Sequence, residues 1–312
     1  MNPHMTKPVF LFCILVMAAG ATAYSETADE YHNIAEGYFN EGRFQEACTT
    51  LEEAIGLYPD NVRFYFSLGN IYYLLSNFES ALELYSRAIE LDGSNAEAYD
   101  MRARIYMSME NDGKALEDFN TAIYLEPRND TYYRHRGILF SINPNNYFVM
   151  ALGDFNRAVE IDPLNYENYR DRGAFLAGNG QYESALADLN EAVNLNGKSL
   201  DSISSRGNVF FRLGKPEEAL RDFDTVIRLD SNNYDAYFGR GLVNIHTGKF
   251  AEAVQDYTEA IRIDPDSADA YFARAESLRQ LAGITDDSDK TTDYLEKARE
   301  DEATANRLEV EE

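Results

Sequence analysis

The chain has no tryptophan, only two cysteines and only four histidines in 312 residues. Two thiols cannot build the disulfide framework of a small secreted scaffold. Cations are scarce too: 28 Lys and Arg stand against 54 Asp and Glu, a formal charge of −26. That excludes nucleic acid as a partner, because no surplus of cations exists to release counterions from phosphates. Nineteen glycines and eight prolines are too few for a low-complexity or collagen-like chain. No phosphate loop, zinc-ligand spacing or nucleophile elbow occurs, so no enzyme, metal or cofactor is expected.

One long apolar run is present, at the N-terminus. Lys7 precedes the run Val9 to Ala19, and Ala21 and Ala23 supply a small-x-small ending. The pattern predicts a secretory signal over residues 1–23, cleaved before Tyr24, and a short linker over 24–27. An uncleaved membrane anchor is the alternative, but the run is shorter than the roughly 20 residues of a span. Cys13 follows Phe12 and sits inside the run, which argues against lipidation. Cys48 would then be the one cysteine of the mature chain, expected as a buried thiol on an apolar helix face. His32, His135 and His246 show no triad spacing. The expected location is periplasmic or secreted, in a bacterial cell envelope.

What the sequence does contain is a repeat. The segments opening at Ala81, Ala115, Ala185, Ala219 and Ala253 echo one another, and a 34-residue step links Ala47, Ala81 and Ala115, then Ala185, Ala219 and Ala253. A two-residue insertion displaces Ala151. A large apolar residue recurs early in each unit: Tyr31, Tyr65, Tyr99, Tyr133, Tyr169, Ile203, Tyr237 and Tyr271. A small residue follows at Ala35, Gly69, Ala103, Gly137, Gly173, Gly207, Gly241 and Ala275, where two helices would approach closely. Thr27, Asn61, Asn95, Asn129, Asn165, Ser199, Asn233 and Ser267 are placed as N-caps, whose side-chain oxygen takes an orphan backbone N–H. Capping also accounts for Asn129 in the sequon with Thr131. Acids such as Asp29, Glu167 and Asp201 follow two residues after the cap, favourable at a helix N-terminus. Pro59, Pro127, Pro163 and Pro265 stop second helices.

This 34-residue pattern resembles the tetratricopeptide repeat family over residues 28 to about 307. The resemblance implies an all-α, right-handed solenoid of about eight helix-turn-helix repeats. They start at Ala28, Val62, Ala96, Asp130, Tyr166, Leu200, Tyr234 and Ala268, and an acidic tail follows over 308–312. The eighth unit departs from the pattern: a polar stretch from Gly283 to Thr292 separates its helices, and Glu302 stands where other units bury an aromatic, as on a solvated cap. The insertion over Ser141 to Phe148 is expected to break the turn of the fourth unit and expose Tyr147 and Phe148. Asp286 to Asp293 lacks the glycine and glutamate of a calcium loop.

Arg102, Arg136, Arg172, Arg206, Arg240 and Arg274 occur only in units that also carry Asp118, Asp154, Asp188, Asp222, Asp256 or Asp301. Units one and two have Ile34 with Thr50, and Leu68 with Leu84. An ion pair inside each repeat is therefore expected, setting helix register.

In the family that the chain resembles, first helices line the concave surface. The lining candidates are Phe39, Arg63, Phe66, Asn70, Tyr73, Arg104, Arg134, Arg170, Asn208, Phe211, Phe238 and Phe272. Central arginines, expected to be solvated, and flanking aromatics suit a protein or peptide partner with an acidic segment. Some relatives clamp a C-terminal carboxylate with Lys and Asn of the first repeats. His32 and Glu36 occupy those places here, and Glu36 would repel a carboxylate. The expected function is a non-enzymatic scaffold or adaptor. Its rival is an accessory subunit that delivers a small molecule to a transporter or enzyme, which would need a deep closed pocket. Membrane contact is expected only through an uncleaved signal or a membrane-protein partner.

Overall fold

A computed structural model describes residues 27–142 and 144–311. The expected signal with Cys13, residues 24–26, Asn143 and Glu312 lie outside the described residues. Among those described there are sixteen α-helices and no strand, in two compact units, one reaching Ile105 and one beginning at Tyr106.

The first unit holds α1 (Ala28–Asn40), α2 (Phe44–Leu57), α3 (Val62–Leu74), α4 (Phe78–Leu91) and most of α5 (Ala96–Ser108). The second holds α6 (Asp112–Leu125), α7 (Asp130–Ser141), α8 (Pro144–Ile161), α9 (Tyr166–Gly178), α10 (Tyr182–Leu195) and α11 (Leu200–Arg212). It continues through α12 (Pro216–Leu229), α13 (Tyr234–His246), α14 (Phe250–Ile263), α15 (Ala268–Gly283) and α16 (Ser288–Glu311). Each first helix begins at the residue the repeat pattern predicts. The reason is visible at the caps: Thr27, Asn61, Asn95, Asn129, Asn165, Ser199, Asn233 and Ser267 each accept a backbone N–H from the first turn. Thr27 and Glu30 close a reciprocal capping box.

Paired helices pack through the small residues. A Cβ on Gly173 would stand 2.9 Å from Leu189 Cγ and 3.3 Å from the Ala185 carbonyl oxygen, so only glycine lets α9 lie this close to α10. The turn within a hairpin needs a left-handed residue. Gly180 takes it at φ 75°, while Ser76 and Glu110 hold the same region at 57° and 56° without glycine. Within the second unit, the first helices of successive hairpins also touch: α7 with α9, α9 with α11, and α11 with α13. First helices therefore form one continuous layer there.

An Arg–Asp clasp joins the two helices of each hairpin in the second unit from α7 onward. Nε and Nη2 of Arg136, Arg172, Arg206, Arg240 and Arg274 donate to Asp154, Asp188, Asp222, Asp256 and Asp301 at 2.6–3.0 Å. The third nitrogen, Nη1, reaches the preceding hairpin at Asn120, Asn156, Asn190, Asp224 or Thr258. In the first unit Arg102 donates likewise to Ser86 at 3.1 Å. Asp118, the sixth aspartate of the pattern, is buried in the second unit.

Three expectations are corrected. The insertion does not form an exposed loop: Pro144, which needs no N–H partner in a first turn, opens an 18-residue α8. Phe148 packs on Phe175 at 5.1 Å, and Tyr147, though exposed, stands 5.5 Å from Phe140. The polar stretch after Gly283 is short, because Asp287 Oδ1 accepts from the Asp289 and Lys290 amides and starts α16 at Ser288. Glu302 is not simply solvated but pairs with Arg279 of α15. The helix also continues through residues 308–311 of the expected tail.

Candidate functional site

The first helices carry the expected lining residues, and cavities open between neighbouring first helices, one in the first unit and two in the second. One, of about 180 Å³, lies in the first unit among His32, Glu36 and Phe39 of α1, Leu51 of α2, and Ser67, Asn70 and Ile71 of α3. A second, of about 520 Å³ and open, lies between α7 and α9, lined by Ile138, Ser141, Asp171, Phe175 and Asn179. A third, of about 210 Å³, joins α9 and α11 at Ala174, Tyr182, Ser205, Asn208 and Arg212.

Of the twelve candidates, Phe39 and Asn70 meet in the first cavity. Phe39 is 37% exposed, and its edge meets Phe44 at 5.6 Å. Asn70 Oδ1 accepts from the Tyr85 hydroxyl at 2.6 Å. Phe66 covers Tyr85 at 5.7 Å. Tyr73 and Arg104 form a second group: the guanidinium lies 5.0 Å from the ring centroid and donates to the hydroxyl at 3.0 Å. Asn208 is exposed at the third cavity. Phe211 meets His246 edge-on at 5.4 Å, and Phe238 stacks on Tyr234 while its edge meets Tyr257. Phe272 is half-buried on α15.

The arginines differ from expectation. Arg134 is not solvated: its side chain is 9% exposed and lies 2.7 Å from Glu167 and 3.1 Å from Asp171. Arg170 is half-buried, 2.8 Å from the same Asp171 and 3.7 Å from Asp201. Arg63 is exposed but bound to Asp29 at 2.8 Å. The physical reason is shared. Acids in the first turn of one repeat serve the helix terminus and also receive an arginine from a neighbouring first helix. Asp29, Glu167 and Asp201 have this double use, and Asp171 adds a further carboxylate. The positive charge of Arg134 and Arg170 is thus neutralised within the chain.

Two groups near the first cavity are perturbed. Burial, and then the nearby Arg63 charge, push the His32 imidazole below its usual pKa. Burial, reinforced by Glu52, pushes the Cys48 thiol up. Among the described residues, no group of three or more His, Cys, Asp or Glu is placed to hold a metal ion. No helix among them is long and apolar enough to cross a membrane.

Family models described as tetratricopeptide repeat match residues 32–96, 96–129, 205–268 and 247–283. No curated protein matches the chain significantly. Among solved structures it is similar to a tetratricopeptide repeat protein from Parabacteroides merdae, at 18% identity and TM-score 0.61, over 87% of this chain and 98% of that one. It is also similar to a chain of the APC/C hetero-tetramer Cut9–Hcn1, at 13% identity and TM-score 0.63, over 81% of this chain and 56% of that one. Pseudomonas aeruginosa pilF matches at 19% identity and TM-score 0.55, over 71% of this chain and all of that one, 100%. At such identities the likeness is one of fold.

Proposed function

Because the chain belongs to the tetratricopeptide repeat family, we propose that it is a non-enzymatic scaffold that holds a protein or peptide partner against its layer of first helices. The observation that carries this reading is the set of cavities between first helices within each unit, with Phe39 exposed at the one in the first unit and Asn208 at one in the second. Interfaces of this kind anchor aromatic and polar side chains in shallow, separate depressions. One neighbour of the same fold assembles with a protein, in the Cut9–Hcn1 hetero-tetramer. An acidic ligand is not part of this reading, since Arg134 and Arg170 already hold Glu167, Asp171 and Asp201 and Arg104 lies against Tyr73.

The rival, delivery of a small molecule, needs an enclosed site of roughly 300–1,000 Å³. The cavity at α1 and α3 is smaller, about 180 Å³, and the larger one at α7 and α9 is open. We place the scaffold outside the cytoplasm, in the cell envelope, on the strength of the signal pattern over residues 1–23. Any membrane contact then comes through an uncleaved signal or a membrane-protein partner. Mass spectrometry of the N-terminus tests the location: a mature protein beginning at Tyr24 supports it, and an intact Lys7-containing peptide contradicts it. Binding of the chain to an array of short random peptides tests the scaffold reading, which retention of none would contradict.

A further inference from the structure

The cavity among α1, α2 and α3 has an apolar floor and one carboxylate, Glu36, at its rim. Ala35, Leu51 and Ile71 are buried beneath it, and Phe39 forms an exposed wall. The His32 ring also lines the cavity. Glu36 is exposed at the rim and makes no ion pair among the described residues. The nearby cation, Arg63, is engaged by Asp29, so these two charges offset each other and Glu36 leaves the rim one negative charge.

We propose that this cavity receives a basic side chain, lysine or arginine, from the polypeptide partner; the assignment rests on the scaffold reading above. The alternatives fit less well. A carboxylate would meet Glu36 and be repelled. A purely apolar side chain would fill the floor but strip water from Glu36. A lysine or arginine lays its aliphatic stem on Leu51 and Ile71, donates to the Glu36 carboxylate, and brings its charge toward the Phe39 ring. The His32 ring does not oppose a cation there, because burial and Arg63 favour its neutral form. A cavity of about 180 Å³ takes one side chain rather than a whole small-molecule ligand. The field of a chain carrying −26 also draws a cationic segment toward it.

The test uses the full chain with nitrogen-labelled histidines, titrated with Nα-acetyl-lysine amide and its arginine, norleucine and glutamate counterparts. Lysine and arginine amides are expected to move the His32 resonances, and norleucine amide to bind about tenfold more weakly or worse. Glu36→Gln is expected to lower lysine-amide affinity by about tenfold and Glu36→Lys to remove it, with unchanged circular dichroism because Glu36 is exposed. Equal binding of norleucine amide, tighter binding of glutamate amide, no effect of Glu36→Gln, or no response to any amide would each overturn the assignment. The same variants on the peptide array separate the two claims. Peptide retention unaffected by Glu36→Lys would sink the pocket and leave the scaffold. Lysine-amide binding with no peptide retained would sink the scaffold and leave the pocket as a cation site.

Discussion

Arg172 clasps Asp188 through two hydrogen bonds of 2.7 Å, while its remaining nitrogen donates to Asn156 of the preceding hairpin at 2.9 Å. The aspartate side chain is 10% exposed and the arginine 19%, so both have surrendered most of their water. Such a pair contributes modest net stability but strong register, because each partner is uncompensated without the other. Arg172→Leu is therefore expected to destabilise by about 3 kcal/mol, and Arg172→Leu with Asp188→Leu to recover much of that. Chemical denaturation of the four forms measures the coupling, and additive effects would contradict the pairing.

A second contrast concerns Arg134 and Arg63. Removing Arg134 as Arg134→Gln deprives Glu167 of its arginine and leaves Asp171 with Arg170 alone at a buried site, an expected loss of about 3 kcal/mol. Arg63→Gln breaks an exposed pair with Asp29 and should change stability by at most about 1 kcal/mol. Equal losses in the two variants would contradict this account of the acids shared between neighbouring helices.

Gly173 and Gly178 lie on the same helix in different surroundings. Gly173→Ala drives a methyl into Leu189 and the Ala185 carbonyl, and is expected to cost about 1–3 kcal/mol. Gly178→Ala meets nothing within 4 Å and should be neutral or slightly stabilising. Melting temperatures that fail to separate the two would argue against the close approach of α9 and α10.

Cys48 is 4% exposed, and burial with the Glu52 charge disfavours its thiolate. Native protein at neutral pH should therefore react slowly with a thiol reagent, and fully once denaturant is added. Immediate complete labelling of the native form would show that the site opens.

The repeat starts, the caps and the Arg–Asp clasp were legible because they depend on residues within one 34-residue unit. The third bond of each clasp carried a weak signal: a polar residue, such as Asn156, Asn190 or Asp224, stands two places after every aspartate but the last, Asp301. The pairing of Arg134 with Glu167 and Asp171 was not legible. Periodicity tells which residues share a helix face, but not which long side chain will cross to the next helix. Glu167 had already been accounted for at a helix N-terminus, which hid its second use. The cavity at His32 was hidden for a similar reason, since residues of three helices build it. At the fourth unit an insertion suggested a loop, but Pro144 suits a helix start and Phe148 had an aromatic partner in Phe175.

The central claim is that the layer of first helices is where a polypeptide partner lies. A photo-crosslinking side chain placed in living cells at Asn208, exposed on α11, and separately at Glu252, exposed on α14, tests it most directly. The account predicts a defined crosslinked polypeptide from position 208 and none from position 252. Equal crosslinking from both positions, or crosslinking from position 252 alone, would contradict it.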